Sequence, residues 1–134
     1  HVELDADFSS RTVRRIDQSI AMGALFTAHQ LGAKAIVALT ASGSTALWMS
    51  RHRIDIPIYA LTPSLATQRR MALIRNVRPL LMDESDDRDV ALAQAETHLK
   101  KRGIVDTGDV YAITCGEPMG SPGGSNMLKI CRAG

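Results

Sequence analysis

Thr40, Ser42, Gly43, Ser44 and Thr45 place four side-chain hydroxyls around a single glycine. Hydroxyls and backbone N–H groups are neutral hydrogen-bond donors, and a cluster of them suits the oxygens of a phosphate. The stretch before them, Ala35-Ile-Val-Ala-Leu39, is apolar without alternation, as expected of a strand covered on both faces. A helix opening at about Ser44 would aim its first, unpaired N–H groups at anything bound there. No Lys or Arg stands in the turn, so it is not a P-loop. Ser and Thr also cap helices that bind nothing. Phosphate seat and plain cap both remain open on these residues alone.

The other residues able to do chemistry are more scattered. Asp83-Glu-Ser-Asp-Asp87 is the one acidic cluster, and its place before a helix suits the helix dipole better than a metal. His29, His52 and His98 fall on helices without a second ligand at metal spacing, and read as structural. Cys115 and Cys131 form no CxxC and read as small buried hydrophobes in a reducing compartment. Trp48 reads as core, and Arg51 and Arg53 as a solvated helix end. A hydrolase built on Ser42 or Ser44 would need a partner such as His98, and no G-x-S-x-G elbow is present. The loop 116–126 carries four glycines, Gly116, Gly120, Gly123 and Gly124, with two prolines, before Ser125 and Asn126. Its own side chains are too few to order it, so any order must come from a ligand or another surface.

The elements that position these groups alternate. A helix capped at Ser9 or Ser10 has an apolar face of Val13, Ile16, Ile20, Ala24, Thr27 and Leu31, and Gly32 is placed to end it. The strand 35–39 and a helix over 44–53 follow, then a strand over 58–61 and a helix over 65–75 that Asn76 stops. A strand over 77–82 carries Pro79, which points to a sheet edge. Ser85 is placed to cap a helix over 86–102, closed by Gly103, and strands over 110–115 and 127–131 complete the chain. This alternation predicts a doubly wound α/β domain, with ligands beyond the carboxyl ends of strands where the winding reverses. If the first and fourth strands are neighbours, the turn 40–45 and the loop 116–126 face each other across one crevice. The connection to the last strand is too short for a parallel crossover, so that strand should be antiparallel.

At 134 residues, positions 1–134 form one domain, large enough to bury roughly two-thirds of its unfolded surface. Sixteen basic and fourteen acidic residues leave +2 without long blocks of either sign, so nothing calls for nucleic acid or an acidic membrane as partner. No run approaches the ~20 apolar residues of a membrane span. The polar start, Val2-Glu-Leu-Asp-Ala-Asp, does not read as a secretory signal, and a cytoplasmic location is expected. The chain begins with His1, as a portion of a longer polypeptide or a processed one would.

Several of these pieces occur in one order. Thr40-Ala-Ser-Gly-Ser-Thr-Ala46 is followed by Pro57-Ile-Tyr-Ala-Leu-Thr62, by Arg70 through Leu73 to Val77-Arg-Pro79, by Gly108-Asp109, and by Gly116 with Gly124-Ser125-Asn126. From Phe8 to Arg132 the chain resembles the carboxy-terminal domain of pyruvate kinases, whose patterns at the first and last of these sites are T-x-S-G-[RST]-[ST]-A and G…G-x-T-N. The resemblance implies a three-layer α/β/α fold with a mostly parallel five-stranded sheet in the order 3-2-1-4-5, strand five antiparallel. It also implies a domain that binds an allosteric effector and helps form a homotetramer. The parent enzymes transfer the phosphoryl group of phosphoenolpyruvate to ADP, with magnesium and usually potassium, on a separate (β/α)8 barrel absent from this chain. This portion is therefore expected to be catalytically silent and to hold no cofactor of its own.

Carried over by resemblance, the effector's phosphate falls on Thr40, Ser42, Gly43, Ser44 and Thr45, and the lid on the loop with Gly116, Gly120, Gly123, Gly124, Ser125 and Asn126. Relatives that take a sugar bisphosphate often carry Lys or Arg in the first loop and Trp and Arg around the second. Here Ala41 and Ser44 occupy the first loop's variable places, and the second loop holds no cation. Charge-assisted hydrogen bonds are roughly twice as strong as neutral ones, so a sugar monophosphate or AMP is expected rather than a bisphosphate. A free-standing phosphate- or nucleotide-sensing module is the other reading.

Overall fold

The computed structural model describes residues 16–116 and 125–134. The elements run α1 (Ile16–Leu31), β1 (Ala35–Leu39), α2 (Ser44–Ser50), β2 (Ile58–Thr62), α3 (Leu65–Met71), β3 (Val77–Leu81), α4 (Arg88–Lys101), β4 (Val110–Cys115) and β5 (Met127–Arg132). The strands form one sheet in the order β3-β2-β1-β4-β5. β1 pairs in parallel with β2 and with β4, β2 in parallel with β3, and β4 antiparallel with β5. Pro79 lies on the edge strand β3, where a missing N–H costs no ladder bond on the open side.

The unbroken apolar run of β1 reflects cover on both faces. Ile36 and Ala38 pack with Ile58, Ala60 and Ala112 under α1, α2 and α3, while Ala35, Val37 and Leu39 pack with Tyr59, Leu61, Tyr111 and Ile113 under α4. The face of α1 turned to the sheet is only partly the expected one: Ala24 is buried as expected and Ile20 and Thr27 are half-buried. Ala21, Ala24, Leu25 and Ala28 are buried, whereas Ile16 and Leu31 are exposed, together with Met22 and Phe26, the last at 67%. The alanine set has the same three-to-four spacing, and its short side chains let the helix lie close on the sheet. The expected start of this helix at Ser9 or Ser10, with Val13, lies outside the described residues.

Helix ends differ from expectation for identifiable reasons. Asp87, not Ser85, caps α4, accepting from the Val90 N–H at 3.1 Å. The Ser85 hydroxyl instead accepts from the Asp87 N–H at 3.1 Å and holds the cap in place, so the helix starts two residues later. At its far end Gly103, at φ 71°, donates to the Lys100 carbonyl while Ile104 donates to Leu99, a left-handed stop that glycine adopts without strain. α2 ends at Ser50, and α3 at Met71, because the chain then tightens: Arg51 donates to Trp48, Leu73 to Arg70 and Ile74 to Met71. Asn76, at φ 72°, then turns the chain into β3 as expected.

On the α4 side the Tyr111 hydroxyl donates to Glu96 Oε1 at 2.6 Å, and the Gly134 N–H donates to Glu96 Oε2 at 3.2 Å. The tyrosine bond holds the Glu96 carboxyl below its ordinary range, and burial, reinforced by the carboxylate, raises the Tyr111 hydroxyl. A depressed carboxylate stabilises the fold above its unfolded pKa, about 4.3, and that contribution is lost as pH falls through the lower folded value. Tyr111→Phe is expected to lower stability at neutral pH by roughly 1.5 kcal/mol, the low end for hydrogen bonds to charged groups. It should also flatten the acid limb of stability against pH, measured by urea denaturation from pH 7 downward.

Candidate functional site

β1 delivers the hydroxyl turn at its carboxyl end, where the Thr40 N–H is held by the Leu61 carbonyl of β2 at 3.0 Å. The Thr40 hydroxyl accepts from the Gly43 N–H at 2.7 Å, closing a tight turn. Gly43 caps α2 at φ 87°, and a Cβ there would stand 2.6 Å from the Met71 methyl carbon and 2.7 Å from its sulfur. The left-handed backbone favours glycine, and any larger side chain would also have to displace the end of Met71. No side chain caps α2. The Ser42 hydroxyl accepts from the Ser44 N–H and donates to the Ser44 hydroxyl, both at 3.3 Å. Ser42 is exposed, Thr40 and Ser44 are half-buried, and Thr45 is fully buried.

Thr45 consequently faces inward. Its hydroxyl lies 2.8 Å from that of Ser125, which is equally buried. Ser125 ends the second loop, and the Asn126 N–H donates to the Cys115 carbonyl at the end of β4. Because β1 and β4 are neighbours, the turn comes together with Ser125 at the carboxyl ends of two central strands. Gly116 leaves β4 half-buried, while Gly120, Gly123 and Gly124 lie outside the described residues.

The sequence reading missed the contribution of α3. Thr67, Arg70 and Met71 share one face of that helix, and all three touch the turn. The Thr67 hydroxyl donates to the Ala41 carbonyl at 2.6 Å. Arg70 Nη2 donates to the Ser42 carbonyl at 3.1 Å and to the Thr67 hydroxyl at 3.0 Å. A cation therefore does stand beside the turn, supplied from another segment. The only available signal was the helical spacing of these residues, which says nothing about which loop they meet.

Trp48 packs half-buried against the core with the Arg51 guanidinium 4.3 Å from its ring centre. Cys115 is buried and Cys131 is half-buried. Burial pushes the Cys131 thiol up. Among the described residues, no group of three or more His, Cys, Asp and Glu side chains gathers as metal ligands do. No described helix is long and apolar enough to cross a membrane.

A family model described as the alpha/beta domain of pyruvate kinase matches residues 18–131. The pyruvate kinase of Staphylococcus epidermidis is 39% identical over 112 residues, covering 84% of this chain and 19% of that protein. That of Buchnera aphidicola subsp. Baizongia pistaciae is 36% identical over 118 residues, covering 87% and 25%. A solved structure of Cryptosporidium parvum pyruvate kinase in complex with ADP superposes with a TM-score of 0.79 at 27% identity, over 89% of this chain and 24% of that one. The chain thus spans about a fifth to a quarter of the length of these relatives.

The buried Thr45–Ser125 pair gives the site a measurable coupling. Removing either hydroxyl leaves the other unpaired, so Thr45→Val and Ser125→Ala should each lower stability by about 1 to 3 kcal/mol. The double substitution should cost clearly less than the two single effects added together. Chemical denaturation of the four proteins reads this directly, and simple additivity would mean the two hydroxyls do not act as a pair.

Proposed function

Because this chain belongs to the pyruvate kinase alpha/beta-domain family, we propose that it is the regulatory domain of a pyruvate kinase. The parent enzyme would transfer the phosphoryl group of phosphoenolpyruvate to ADP on a (β/α)8 barrel, with magnesium and potassium. This domain takes no part in that chemistry. It binds a phosphorylated effector at the turn formed by Thr40, Ser42, Gly43 and Ser44, with Thr45 tying that turn to the second loop.

The observation that carries this reading is the contact between the two loops through the Thr45 and Ser125 hydroxyls, at the carboxyl ends of adjacent β1 and β4. An anion seated on the turn would sit where a change in either loop is felt by the other. The turn's own donors are neutral hydroxyls and N–H groups, and Arg70 is turned to a carbonyl. One phosphate on neutral donors fits a sugar monophosphate or AMP better than a bisphosphate.

Regulation also needs an assembly whose states the effector can distinguish, by a coupling typically of about 1 to 3 kcal/mol. The outer face of α1, with Ile16, Met22 and Phe26, and Ile130 of β5 leave apolar side chains uncovered. We assign this surface to contact with a second copy of the chain in a homo-oligomer, working in the cytoplasm.

Two measurements test the reading. In a thermal-shift screen of ribose 5-phosphate, glucose 6-phosphate, AMP and fructose 1,6-bisphosphate, a monophosphate should stabilise selectively, by about 2.7 kcal/mol at 100 times its dissociation constant. Ser44→Glu, which puts a carboxylate at the seat, should abolish the shift. Far tighter binding of the bisphosphate overturns the selectivity, and no shift with any compound overturns the effector site. Separately, Phe26→Glu is expected to lower the oligomeric state in sedimentation velocity, and an unchanged state would remove α1 from the contact.

A further inference from the structure

Resting on the effector reading above, we propose that Thr67 and Arg70 of α3 are positioning residues for the turn, fixing which way its peptide groups point toward a bound phosphate.

The peptide plane supplies the reasoning. In a trans peptide, the carbonyl of one residue and the N–H of the next point in opposite directions. The Thr67 hydroxyl holds the Ala41 carbonyl at 2.6 Å on the α3 side. The Ser42 N–H must then point away from α3. Arg70 Nη2 holds the Ser42 carbonyl at 3.1 Å, so the Gly43 N–H also turns away from α3 and meets the Thr40 hydroxyl at 2.7 Å. Two carbonyl oxygens that would repel an anion are thereby drawn to one side and matched with a hydroxyl and a guanidinium. On the opposite side, the Gly43 N–H is engaged by the Thr40 hydroxyl and the Ser42 N–H is directed away from α3.

Such a hold is needed because Gly43 sits in the turn. The peptide between Ser42 and Gly43 flips by rotating ψ of Ser42 and φ of Gly43, and glycine tolerates both outcomes. The Thr40 hydroxyl holds only the N–H side of that peptide, and Arg70 adds a hold on its carbonyl side. Thr67 is 2% exposed, so its hydrogen bond is shielded from competing water. Arg70 donates from one nitrogen to both the Ser42 carbonyl and the Thr67 hydroxyl, joining the two holds into one network. Among the described residues no carboxylate pairs with it.

The test is isothermal titration of the complete gene product with glucose 6-phosphate and, in parallel, AMP. Thr67→Val keeps shape and charge but removes the hydroxyl, and is expected to weaken binding roughly three- to tenfold, the factor of one lost neutral hydrogen bond. Thr67→Ser restores the hydroxyl and should restore affinity, which a loss due only to packing would not do. Arg70→Met, at an exposed position, should weaken binding to a similar extent, and it carries the test if Thr67→Val does not fold. Unchanged affinity in Thr67→Val, or in Arg70→Met where the valine variant is unfolded, overturns the proposal while leaving the effector site intact. Failure of the unsubstituted protein to bind either probe overturns the effector reading, and this proposal with it.

Discussion

A strand buried on both faces can deliver chemistry only at its ends, and this constraint governs the molecule. β1 has no polar side chain between Ala35 and Leu39, and every one of its residues is buried. Its backbone groups must find partners in β2 and β4, which fixes the middle of the sheet. What β1 offers a ligand is therefore concentrated in the residues after Leu39. The turn there has to reverse the chain into α2 within a few positions, beneath α3, and glycine takes the left-handed backbone at Gly43 without strain.

The two faces of the sheet divide the work. One carries α1, α2 and α3 on a layer rich in alanine, so helices lie close and a short turn is reached by side chains from a neighbouring helix. The other carries α4 on larger side chains, including Tyr111 and Ile113. There the Glu96 carboxylate gathers the Tyr111 hydroxyl and the Gly134 N–H, and Lys100 reaches the Gly134 carbonyl, so the end of the chain is fastened to α4. This fastening is remote from the hydroxyl turn, and a change in one layer reaches the other only through the sheet.

Much of this was legible in the residues. Unbroken apolar runs marked the strands, Pro79 marked the edge, and the short final connection marked the antiparallel strand. The order of motifs carried the family. Large side chains misled the reading of α1, because Ile16 and Leu31 outweigh alanines in any periodic pattern although the sheet accepts the smaller set. The pattern pointed to Ser85 as the cap of α4, but Asp87, just before Arg88, fills that role and Ser85 holds it in place. The Thr67 and Arg70 contacts span 26 and 28 positions and depend on how α3 is laid against the turn, which no local spacing encodes.

The sheet order also has a consequence for how the domain comes into being. β1 is flanked by β2, made soon after it, and by β4, made only after α2, β2, α3, β3 and α4. On a growing chain the hydroxyl turn therefore exists long before its companion loop, and one edge of the central strand stays open until β4 arrives. Long-range parallel pairing of this kind is slow, and an open apolar edge is prone to pairing with the wrong chain. The Thr45–Ser125 contact is thus among the last features to form during synthesis. A nascent or truncated chain ending before β4 carries the turn's residues but presents an open strand edge where β4 would pair.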